Sequence, residues 1–128
     1  MDNMEAIRDI IKVLPQKLRK WVDSWPEDLR QYAAVVAVIA VTKGVKDEKD
    51  LQKFFDDDPR MQIILMNLLY HAGGKSKEFM EKIMDKLEPE AAVLVKSSTV
   101  ELISLELNRR MKDIRAAFQK KSQNGIEG

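Results

Sequence analysis

Ala33-Ala34-Val35-Val36-Ala37-Val38-Ile39-Ala40-Val41 is nine apolar residues without a break. A helix that is apolar on every side has no face to offer water, so it is buried on every side. The valines would also suit a buried strand. A strand needs a partner, however, and the chain offers no second convincing one. Nine residues also fall far short of the roughly 20 that span a bilayer. The stretch therefore reads as a central helix walled in by others. Ser24-Trp25-Pro26-Glu27 before it has the form of a capping box, with proline where early helical N–H groups have no partner anyway. Gly44 marks its end.

Helical spacing continues on both sides. Upstream, Met4, Ile7, Ile10, Ile11 and Leu14 recur at i, i+3, i+4. Pro15 interrupts them, and a second stripe follows at Leu18, Trp21, Val22 and Trp25. These are two short helices or one kinked one. Downstream, Asp47 to Asp50 start a helix that turns Leu51, Phe54 and Phe55 inward. Asp58 then caps the next, with Pro59 as its first residue. Met61, Ile64, Leu65, Leu68 and Leu69 form its inner face, and Gly73-Gly74 stops it. Ser76 is placed to cap a helix carrying Phe79, Met80, Ile83, Met84 and Leu87. Pro89 restarts the chain, and Ser98-x-x-Glu101 forms a second capping box. The last stripe is Val100, Ile103, Leu107, Met111, Ile114 and Phe118; whether one helix or two runs from Pro89 to Lys121 stays open. The expected fold is all-α, a compact multi-helix bundle of six to eight helices with a buried central helix and a long basic C-terminal one. Residues 1–121 form a single domain, and the aperiodic residues 122–128 a disordered tail.

Composition removes much chemistry. The chain holds one histidine and no cysteine among 128 residues. Disulfides and thiolate metal sites are excluded, and His71 has no second histidine to share a metal. Met4 to Leu14 is broken by Arg8, Asp9 and Lys12, so no signal peptide is visible. A cytoplasmic protein is the default expectation. Gly73-Gly74-Lys75-Ser76 imitates the end of a phosphate-binding loop. The full motif needs a glycine five residues before Gly74, where Leu69 stands, and a strand where a helix is expected. Asp56-Asp57-Asp58 lacks the spaced ligands and glycine of a calcium loop. Glu101 and Glu106 do not share a helix face, so no acid–base pair stands out. Neither a catalytic residue, a metal site nor a cofactor is expected. Trp21 and Trp25, beside Lys17, Arg19 and Lys20, read first as core residues with a cationic rim. Seven methionines read as fillers of irregular gaps in the core.

Charge supplies the functional signal. Between Asn108 and Lys121 stand Arg109, Arg110, Lys112, Arg115, Lys120 and Lys121, against Asp113 alone. This segment carries +5 in a molecule of net +1. Basic side chains can serve a helix C-terminus or line a core stripe, but a block this large also suits a phosphate backbone. The expected contacts are Arg109, Arg110, Lys112 and Arg115, with Lys120 and Lys121 as auxiliary charge. Lys17, Arg19 and Lys20 extend the patch if the first and last helices are neighbours.

No residue motif identifies a family. In size and class alone the chain resembles small helical accessory proteins: subunits of nucleoprotein machines, plasmid or viral regulators, and the small helical subunits of CRISPR effector complexes. The expectation is a non-enzymatic helical assembly protein that contacts nucleic acid through the basic helix, without sequence preference. Its alternative is a pure protein-interaction or oligomerisation module, with the stripe from Val100 to Phe118 partly exposed. No small-molecule substrate is evident.

Overall fold

The chain is seen in a computed structural model that describes the backbone of residues 3–127 and the side chains of residues 4–119. Its helices are α1 (Asn3–Ala6), α2 (Arg8–Lys12), α3 (Gln16–Asp23), α4 (Arg30–Thr42), α5 (Glu48–Asp57), α6 (Pro59–His71), α7 (Gly74–Met84), α8 (Pro89–Lys96) and α9 (Thr99–Glu127). A 3-10 turn at Glu27–Leu29 leads into α4. α1 and α2 are one segment pinched at Ile7, so eight helical segments form the bundle, with no strand among the described residues. The tail expected over 122–128 lies outside the residues whose side chains are described.

α4 is the buried helix that its composition demands. Ala33 to Ala40 are all buried. α2 and α3 cover one side of it, and α9 lies along another. Its end is set by Gly44 at φ +87°, where a side chain would be strained. The Gly44 N–H then reaches the Val41 carbonyl at 3.0 Å, and the Val45 N–H reaches Ala40 at 3.1 Å. This satisfies carbonyls that the helix leaves open and turns Val45 into the core.

Its start differs from the capping box that the sequence suggests. The Ser24 hydroxyl donates backward to the Trp21 carbonyl and closes α3. Pro26, at φ −53° and ψ 146°, takes the position before the 3-10 turn instead. Proline disfavours helical geometry at the residue before it, so the new helix begins two residues later than a Ser24 cap requires. A similar shift separates α6 from α7. Positive φ at Gly73 and Gly74 lets the chain reverse at once, so α7 starts at Gly74 and Ser76 falls inside its first turn.

Other boundaries follow the sequence. Pro15 separates α2 from α3, and the Arg19 guanidinium bridges the gap to the Lys12 carbonyl at 2.9 Å. Asp47 accepts from the Asp50 N–H at 3.0 Å, and Asp58 from the Met61 N–H at 3.3 Å. Each aspartate satisfies a donor that the first turn leaves open.

α6 is the second organiser, packed against α5, α7, α8 and α9. A small satellite core forms where Met80, Met84 and Val95 close over Met66, Leu69 and Tyr70. Flexible methionines from α6 and α7 meet Val95 of α8 there, the gap-filling role for which the side chain is suited.

Candidate binding face on the last two helices

Residues 89–121 contain two helices. Ser97 is extended at φ −70° and ψ 170°, and α9 starts afresh at Thr99. The break exposes the last carbonyls of α8, and a side chain from α6 meets them. Asn67, almost fully buried, points its amide nitrogen at the carbonyls of Leu94 (3.2 Å), Val95 (2.9 Å) and Ser97 (2.9 Å). Its amide oxygen accepts from the Thr99 hydroxyl at 2.7 Å. One side chain thus closes α8, fixes the turn and opens α9. His71, one turn further along α6, places Nε2 2.9 Å from the Ser97 carbonyl. A carbonyl only accepts, so that nitrogen carries the proton. His71 is thereby a tie between a helix end and a turn. Among the described residues no group of three or more acids and histidines could hold a metal.

The joint fixes the direction of α9, whose two long faces then differ. Ile103, Leu107, Met111 and Ile114 are buried within the main core. Leu105, Arg109 and Lys112 are exposed on the opposite side, Arg115 is exposed nearer the margin, and Val100, first residue of the inner stripe, is exposed at the start of the helix. Lys120 and Lys121 lie outside the described side chains.

Arg110, expected among the phosphate contacts, is instead held within the fold. Its Nη2 donates to Asp58 at 2.8 Å and its Nε to Glu106 at 2.7 Å. The side chains of Arg110, Asp58 and Glu106 are 16%, 23% and 9% exposed. Burial alone would lower the Arg110 pKa, but the hydrogen bonds and charges of Glu106 and Asp58 outweigh it and raise the value. The guanidinium therefore stays charged throughout the working range. Successive residues on a helix are turned by about 100°, which carries Arg110 to the edge of the buried face while Arg109 points outward. Among the described residues no ion pair holds Arg109, Lys112 or Arg115.

Lys17, Arg19 and Lys20 do not join this face through the first helix. α1 is the element that packs on α9, whereas all three bases stand on α3, which packs on α4 and α5. There Lys17 and Lys20 share an open cleft with Asp47, Glu48 and Lys49. Trp25 is buried in the core and Trp21 partly so, in an edge-to-face pair with centroids 5.6 Å apart.

The outer side of α8 and α9 also carries apolar side chains that no core covers. Val93 is 68% exposed and Leu105 60%, with Leu94 exposed as well. Between α6, α8 and α9 lies an open hollow of about 210 Å³, floored by Ile63, Ile64, Leu94, Leu102 and Leu105. Arg60 and Arg109 stand on its lining, together with Glu106.

Comparison with protein-family models, with curated proteins and with solved structures finds no match. What the face can do is therefore argued from its own residues.

Three of these residues escape a reading of periodicity. Asn67 sits six residues after Met61 and three after Ile64, inside the buried stripe. A lone amide in that register signals a polar joint. Glu106-x-x-x-Arg110 has the spacing of a helical ion pair, but nothing local ties it to Asp58, 52 residues away.

Proposed function

We propose that this chain is a non-enzymatic helical assembly protein whose working surface is the outer face of α8 and α9. The observation that carries the reading is one place where uncovered apolar side chains and unpaired cations coincide. Leu94 and Leu105, both exposed, line one hollow with Arg60 and Arg109. Large apolar residues clustered on a surface mark sites of association. Nothing comparable supports catalysis, because His71 is engaged at a helix end.

The test places a photo-crosslinking residue at position 105 in cells, with position 13 as control, since Val13 is at least as exposed and does not line the hollow. Adducts to a protein at 105 and none at 13 support the reading. Equal labelling, or none at 105, overturns it.

Contact with a nucleic-acid backbone is the second reading, favoured by the unpaired Arg109, Lys112 and Arg115. With Arg110 occupied, the described part of the patch supplies three charges. Log K for duplex DNA should then fall with log salt at a slope of about −3, against about −4 if Arg110 also took part. Binding measured from low to high salt, with Arg109→Glu and Lys112→Glu as control, checks this.

A further inference from the structure

We infer that the hollow between α6, α8 and α9 receives an acidic amphipathic helix from a protein partner, with one apolar anchor seated on Leu94, Leu102 and Leu105. The inference rests on the reading of this face as the working surface and names the chemistry of its occupant.

Size narrows the choice first. The hollow measures about 210 Å³, below the roughly 300–1,000 Å³ of small-molecule pockets. It suits one large side chain better than a cofactor. The floor is aliphatic, from Ile63, Ile64, Leu94, Leu102 and Leu105. A phosphate backbone has no group to place there. A Leu, Phe or Met anchor does.

Charge narrows it further. Arg60 and Arg109 are exposed and have no ion-pair partner among the described residues. Glu106 is the single acid of the lining, and Arg110 already holds it at 2.7 Å. Arg110 is shared with Asp58, so the inner cluster keeps a net charge of −1, and the two exposed arginines of the lining, Arg60 and Arg109, outweigh it for an acidic guest. A second copy docking by the same face would set Arg60 and Arg109 against arginines, which disfavours a symmetric dimer. A guest helix with Asp or Glu flanking its anchor meets both arginines. Apolar residues spaced i, i+4, i+7 present the anchor and its neighbours along the groove.

The experiment selects binders from a displayed library of random 16-residue peptides, using the full-length protein. Winners are synthesised with a fluorophore and titrated by anisotropy. The expected winners carry apolar residues at helical spacing with Asp or Glu beside them. Leu105→Glu and Arg109→Glu should each weaken them at least tenfold while the circular dichroism spectrum and melting curve stay unchanged. If Leu105→Glu disturbs folding, Leu105→Ser replaces it. Changing the acids of a winning peptide to Lys should restore its binding to the Arg60→Glu, Arg109→Glu double variant. Failure to enrich any peptide overturns the inference, as do winners that bind both single variants like the parent. A labelled 20-nucleotide strand that binds, is lost with Arg109→Glu and ignores Leu105→Glu also overturns it, in favour of phosphate contact. Adducts at position 105 without peptide winners would sink the helix and leave the working surface standing; absence of both sinks both.

Discussion

Arg109 and Arg110 are neighbours in the chain and opposites in the fold. Arg110 sits at the margin of the inner face of α9, held by Asp58 and Glu106. Arg109 stands on the outer face beside Leu105 and the hollow. Charge counting treats them alike; a rotation of about 100° along the helix makes one a structural cation and the other a free one. On the inner side Arg110 is shared between two carboxylates, and on the outer side Arg109 has no ion-pair partner among the described residues. Unmatched groups on a surface are what a partner can use.

The contrast can be broken most severely at the joint that orients α9. Asn67→Asp removes the donor that serves Val95 and Ser97 and sets a carboxylate against carbonyls. Leaving buried polar groups unsatisfied costs about 1–3 kcal/mol each, so a total loss of about 4 kcal/mol is expected at neutral pH, read by urea denaturation. A protonated carboxyl can donate, so the introduced group has a raised folded pKa. Stability should then be recovered as pH falls and lost as pH rises through that value. A loss that ignores pH would show that Asn67 acts by shape alone. Next in size is Ile114→Ala, deep in the inner face, with an expected cost of about 3 kcal/mol from lost burial and a cavity. A cost below about 1 kcal/mol would mean that the inner face of α9 is loosely seated.

The sequence makes most of the architecture legible because periodicity reports burial directly. The all-round apolar run had to be central, and Asp58-Pro59 had to start a helix. What periodicity misses is pairing across distance. Ser24 obeys the rule for an N-cap, yet its hydroxyl finds the carbonyl behind it because Pro26 moves the helix start. Arg110 reads as surface charge because Asp58, its partner, lies 52 residues away. The basic block was visible as a block; which of its members are free depends on angles and partners that no local window contains. Leu105 falls outside the stripe by spacing alone, but only the positions of α6 and α8 show that it borders a hollow with Leu94 and Ile63.

The sharpest test makes one chemical change at both arginines. Arg110→Met strips the charge from a cluster that still contains Asp58 and Glu106. A fully buried pair broken this way costs 3–5 kcal/mol; partial exposure reduces the expectation to about 2 kcal/mol. Adding Asp58→Asn should recover part of that loss, because the amide oxygen can still cap α6 while one of the two orphaned charges is gone and Glu106 alone remains. Arg109→Met should change stability by less than about 0.5 kcal/mol, since an exposed side chain with no partner has nothing native to lose. The two differ only in the direction in which α9 points the side chain. Equal losses from thermal or urea unfolding would mean that Arg109 also serves the fold, and the outer face would lose its claim to be free. Unequal losses, with Arg109→Met silent in stability and weakened in binding, would separate the cation that builds this protein from the one it offers.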